Sequence, residues 1–133
     1  PVLFSVDAYH LANPDFYYRW GEPHLQKLLN HFGGGLLHLH SNGRHLLEHV
    51  RKLEHLICVY LIDEPWSPRA YDHLADLKKK AGDVPLVVGC SFDEFRRDLT
   101  AGRLAGNVLY LIKGAPSVAA ANRLMKKVRA YRS

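Results

Sequence analysis

Hydrophobic and polar positions follow two rhythms along this chain. Short apolar runs read as strands: VLFSVDAY (2–9), GLLHLH (35–40), HLICVYLID (55–63), PLVVGC (85–90) and NVLYLIKG (107–114). HLICVYLID is a continuous apolar run, which suits a strand covered on both faces. Helical segments separate these runs. RHLLEHVRKLE (44–54) sets Leu46, Leu47, Val50 and Leu53 on one face, the spacing of an amphipathic helix. A helical stretch starts at Asn13-Pro14, an N-cap followed by proline at the first helical position. It runs to Phe32 and ends at Gly33-Gly34-Gly35. RAYDHLADLKKKAGD forms the next helix, and FDEFRRDLTAG follows with Ser91 as cap and Glu94 at the capping-box position. SVAAANRLMKKVRAY is the last.

The result is a strand and a helix repeated five times, which predicts one α/β domain over 1–133 with a parallel sheet. Two architectures fit. One is an open, five-stranded, doubly wound flavodoxin-like sheet. The other is five βα units of a (β/α)8 TIM barrel, whose full form needs about 250 residues. Both put a ligand at the carboxyl ends of the strands.

Composition narrows the class. With 47% hydrophobic and 23% charged residues, the chain has the balance of a folded globular domain. Cys58 and Cys90 lie in apolar runs, so we expect reduced, buried thiols and a cytoplasmic protein. No apolar run is long enough to span a membrane. The net charge is +5, but the basic residues fall mainly on helical segments such as RAYDHLADLKKKAGD and FDEFRRDL, where Asp and Glu are interleaved, the pattern of solvated faces. Only KKVRAYR is a clean basic cluster, and cations there complement the end of a final helix. We therefore expect a small-molecule substrate and no nucleic acid.

Chemistry gathers at the strand ends: Asp7; His38-Leu39-His40-Ser41-Asn42-Gly43; Asp63-Glu64-Pro65; Gly89-Cys90-Ser91; Lys113-Gly114. His38 and His40 are two apart, so on a strand they face the same way. Two such imidazoles hold a divalent metal when another strand supplies a third ligand; otherwise they are ordinary polar histidines. Asp7 and Asp63 suit metal ligation, imidazole orientation or substrate binding, and equally suit turns and caps. Ser41-Asn42-Gly43-Arg44 follows a strand and opens a helix. Its backbone N–H groups and Arg44 suit an anion, or a plain capped turn. Lys113 suits a substrate carboxylate or phosphate, or snorkels to water. Cys90 reads as a small buried residue before it reads as a nucleophile.

Several of these pieces carry a resemblance. The order "strand ending in Asp; P-x-F-Y…P-H-L-Q-K-L-L; GG-x-L-x-H-x-H-S-N-G-R-H-L-L; strand ending in D-E-P; G-D-V-P-L-V-V; A-N-R-L-M-x-x-V-R-A-Y" is similar to the C-terminal part of the uroporphyrinogen decarboxylase superfamily. Gly34–Leu47 and Ala121–Tyr131 are its most specific parts. The resemblance implies a TIM barrel, of which this chain would be about strands 4 to 8. It would then lack an N-terminal half, or be a non-catalytic fragment or binding module that self-associates as a homo-oligomer to cover its open edges. It also implies one of two activities: decarboxylation of a tetrapyrrole-type substrate, or zinc-dependent, cobalamin-linked methyl transfer. Asp7, His38 and His40 would then be the catalytic positions, with Ser41, Asn42, Gly43, Arg44, Asp63 and Lys113 around the substrate. Zinc is the cofactor the second branch implies, held by His38 and His40. The methyltransferases carry His-x-Cys where this chain has His38-Leu39-His40. Lys113-Gly114 stands where the decarboxylases have His-Gly and where a later zinc cysteine is expected.

Overall fold

A computed structural model describes residues 1–131. Arg132, the end of the basic cluster KKVRAYR, lies outside the described residues. The sheet has five strands, all parallel: β1 (Val2–Ser5), β2 (Gly35–Leu39), β3 (Leu56–Leu61), β4 (Leu86–Ser91) and β5 (Val108–Lys113). They lie side by side in chain order, β1-β2-β3-β4-β5. Helices fill the connections: α1 (Pro14–Phe16), α2 (Glu22–Phe32), α3 (Leu47–Val50), α4 (Leu74–Ala81), α5 (Phe92–Thr100) and α6 (Val118–Ala130). A π-helical turn, Tyr17–Gly21, joins α1 to α2.

Alternation along the strands sorts side chains onto two faces. One face carries Leu37, Leu39, Val59, Leu61, Leu86 and Val88. These pack with Leu25 and Leu29 of α2, Leu47 and Val50 of α3, and Leu77 of α4. Farther along, Cys90 joins Phe95 and Leu99 of α5 and Ala120 and Leu124 of α6. Burying each large aliphatic side chain contributes about 1.5–3 kcal/mol. The other face carries rows that run across the sheet in register. One such row is Ser5, His38, Tyr60, Val87 and Leu109. No helix among the described residues covers this face, and Leu3, Leu109 and Leu111 are 65%, 55% and 42% exposed there. The open five-stranded parallel sheet is thus present. Its strands follow the chain order β1 to β5, as successive βα units do.

Local signals held where they rest on caps. Gly33 ends α2 at φ 65°, the left-handed cap that glycine adopts without strain. The Asn13 side chain accepts from the Asp15 N–H. Ser91 and Glu94 form a complete capping box on α5. Two of the differences from expectation bear on the strand-end chemistry. The first strand stops at Ser5, because Val6 leaves the extended region and the Asp7 N–H donates to Ser5 Oγ instead of to a strand. Asp7 therefore sits on a 3-10 turn, Asp7–Tyr9. The segment 44–54 is a 3-10 turn, Ser41–Leu46, followed by the single-turn α3. Its apolar face is nonetheless as read: Leu46, Leu47, Val50 and Leu53 are all buried. Burial of that face and the tight Gly43 N–H to His40 carbonyl bond hold the narrower helix.

Acid stability has an identifiable source. Arg69 donates to both carboxylate oxygens of Glu94 at 2.8 and 3.0 Å. That pairing, with the Ser91 N–H, holds the Glu94 carboxyl at about 2, against an ordinary 4.5. A depressed carboxylate stabilises the fold above pH 4.5 and loses that stabilisation as pH falls toward 2. Arg69 is 42% exposed, so water screens the pair and we expect about 1 kcal/mol. Glu94→Gln should lower the urea midpoint at pH 6 and flatten its fall between pH 4.5 and 2; equal acid slopes in both proteins would refute this assignment.

Candidate metal centre

Three elements converge at the carboxyl end of β1 and β2. His38 is the fourth residue of β2. His40 lies just past the strand but stays extended at φ −70°, ψ 164°, so the alternation persists. Both imidazoles therefore point off the same face, their centroids 5.3 Å apart. Asp7 reaches them from the turn after β1. Its Oδ2 is 3.7 Å from Nε2 of His38 and 3.7 Å from Nε2 of His40. One donor atom from each of the three residues lies within 4.8 Å of the others.

Those distances suit a metal. Two donors bound at about 2.1 Å in a tetrahedron sit about 3.4 Å apart, so small side-chain shifts would close the set around one ion. Two nitrogens and one carboxylate oxygen are a ligand set for zinc or a similar divalent ion. Three protein ligands leave a fourth position for a small molecule. The outer contacts fit as well. His40 Nδ1 is hydrogen-bonded to Glu64 Oε1. A proton on that nitrogen leaves the Nε2 lone pair facing Asp7, the arrangement in which a carboxylate orients a metal-binding histidine. His10 Nε2 lies 3.4 Å from the second oxygen of Asp7. His10 is 5% exposed, with its ring 5.9 Å from that of His40.

The electrostatics keep the carboxylates charged. Burial works to raise the Asp7 carboxyl, but the Ser5 contact and the imidazoles of His40, His10 and His38 together bring it below its ordinary value. Glu64 follows the same balance: burial raises it, while the Ser41 N–H, His40 and Arg44 outweigh that and lower it. For His10, burial dominates and favours the neutral ring, against the pull of Asp7. A cavity of about 400 Å³ opens beside the cluster. Asp7, His10, Leu11, His40, Asn42, Glu64 and Trp66 line it, with no Lys or Arg.

The other sequence-read positions divide into two groups. Asn42 lines this cavity with Ser41 and Gly43 on either side in the chain, but the turn they form already holds an anion. Glu64 Oε2 accepts from the Ser41 N–H at 2.9 Å and from the Ser41 hydroxyl. Gly43 lies so close to His10 that any side chain there would run into the imidazole. Arg44 turns away. It donates to Asp63 at 2.5 Å and to the Pro68 carbonyl at 2.6 Å, and Asp63 also accepts from the Ala70 N–H at 2.7 Å. Arg44 and Asp63 therefore clamp the loop after β3. Lys113 is on β5, beside Ser91 in register, and lines a separate cavity of about 250 Å³ with Arg69 and Glu94. Cys58 and Cys90 are free and buried, and burial pushes the Cys90 thiol up to about 11, far from a thiolate nucleophile. His10 and Glu64 are the residues at this cluster that spacing along a strand does not single out. Their signals are weak: His10 three positions after Asp7, and Glu64 inside Asp63-Glu64-Pro65.

No protein-family model matches the chain, and no curated protein or solved structure matches it. No helix among the described residues is long and apolar enough to cross a membrane.

Proposed function

We propose that this chain binds one zinc-type divalent ion on Asp7, His38 and His40 and acts there on a small nucleophile, a thiol in the first instance. The observation that carries the reading is the three donor atoms within 4.8 Å, set at the carboxyl ends of neighbouring parallel strands. Bound there, the ion would lower the pKa of a thiol or water in its open position. The chain's own residues do the rest. Glu64 keeps the His40 proton on Nδ1. Asp7 supplies the negative charge that offsets part of the cation's. Leu11 and Trp66 form an apolar rim against which a substrate body rests.

Of the two activities implied by the resemblance to the uroporphyrinogen decarboxylase superfamily, this arrangement supports the zinc-dependent methyl transfer. Decarboxylation of a polycarboxylate calls for cations to hold the acid groups. The cavity lining has none, and Arg44 is engaged by Asp63. Titrating the protein with zinc tests the reading: one equivalent should bind, and cobalt in its place should give the intense visible bands of four-coordination. No saturable binding of either ion would sink it.

A second reading concerns assembly, and the uncovered sheet face favours it. Leu3 is exposed on the edge strand β1, and Leu109 and Leu111 on the opposite edge strand β5. Such a face and such edges drive association. Light scattering should find a dimer or larger species; a stable monomer at about 100 μM would refute self-association.

A further inference from the structure

We propose that the groove between α5 and α6 binds a small amphipathic anion, an apolar body carrying one carboxylate or phosphate. This site is separate from the Asp7–His38–His40 cluster and does not depend on it. Its floor is apolar: Phe92, Ala120 and Leu124, all buried. Its rim is cationic: Arg96, Arg123 and Lys127. The space is about 300 Å³, at the lower end of small-molecule cavities.

Charge distribution singles the groove out. From Leu99 to Ser133 the sequence has no Asp or Glu, while Arg103, Lys113, Arg123, Lys126, Lys127, Arg129 and Arg132 all fall there. The net charge of +5 therefore originates in this stretch. Arg96 has a surface partner, Asp93, at 2.9 Å. Arg123 and Lys127 are four apart on α6 and share a face. Among the described residues neither makes an ion pair, so two like charges stand together with nothing to neutralise them. A helix-end effect does not account for Arg123, which lies mid-helix.

The combination of floor and rim selects the ligand class. A guanidinium takes a carboxylate or a phosphate through two parallel N–H bonds, and the neighbouring ammonium adds a point charge. A head group alone would leave the apolar floor wet. A polynucleotide would need cations strung along a track with aromatic faces for its bases, and here a single phenylalanine sits beneath a compact pocket.

The test uses 1-naphthoate and 1-naphthyl phosphate as probes, with 1-naphthalenemethanol and inorganic phosphate as the two halves. Calorimetry gives affinity, and amide shifts in NMR locate the site. Both anions should bind, shifting amides of α5 and α6, while each half binds at least about ten-fold more weakly. Arg123→Glu with Lys127→Glu should cost at least about ten-fold for both anions. Both substitutions are on an exposed helix face, and Lys127→Glu alone gives a milder check with the fold monitored by circular dichroism. Four results would overturn the proposal: neither anion binds at millimolar concentration; the charge-reversed protein binds them unchanged; the alcohol binds as well as the anions; or a single-stranded oligonucleotide competes at the same residues with higher affinity.

Discussion

Zinc affinity should fall by more than about 100-fold in His38→Ala and by about 10–100-fold in Glu64→Gln. The two substitutions act at different distances from the ion. His38 would supply one of the three candidate donors, and the two remaining would not close a catalytic-type zinc site. Glu64 touches no ion. Its carboxylate pairs with His40 Nδ1, and a neutral amide in its place would orient and polarise that ring less strongly. The amide side chain keeps the shape of the glutamate and an acceptor for the Ser41 N–H, so the fold survives. Competition with a chromophoric chelator measures both constants, and cobalt spectra report whether four-coordination persists in Glu64→Gln. Equal affinity in wild type and His38→Ala would remove the metal centre from this account altogether.

Asp63→Ala should destabilise the fold by about 3 kcal/mol. Arg44 is 13% exposed, and its Nη2 sits 2.5 Å from Asp63. Deleting the carboxylate strands that charge in a mostly dry setting and leaves the Ala70 N–H without its acceptor. Asp63→Asn retains an oxygen for Ala70 and loses only the charge, so it should cost less, about 1–2 kcal/mol. Urea unfolding separates these from wild type. A substrate-binding aspartate would behave differently, with little change in stability and a large change in ligand affinity. Because the same loop carries Glu64 and Trp66, Asp63→Ala should also weaken zinc binding as the loop loosens.

Much of this was legible along the chain. The strand-and-helix alternation appears as read, down to the Ser91–Glu94 capping box and the Gly33 cap. Those are local features: each depends on residues within one turn, and no distant contact competes with them. The pairing of His38 with His40 was legible for the same reason, since strand alternation is a local rule. The third candidate donor, Asp7, is legible in the sequence only as a carboxylate at another strand end. Its convergence depends on β1 and β2 lying next to each other with Ser5 opposite His38. Segment 44–54 shows the limit from the other side. Its buried face followed from spacing, but its helix type is set by the tight Gly43 N–H to His40 carbonyl bond and by burial of that face against the sheet, and spacing reports neither.

Periodicity determined the class of the protein: parallel strands, amphipathic connections, and chemistry collected at the carboxyl ends. It also determined which face of each element would be apolar, because burial follows spacing. Tertiary structure alone decided the rest. Strand order decided that the helices share one face and leave the other uncovered. Loop packing decided that Glu64 holds His40 while Asp63, its neighbour, holds Arg44. Adjacent carboxylates are indistinguishable by composition and spacing, and only the path of the chain after β3 turns one toward the imidazoles and the other toward the guanidinium.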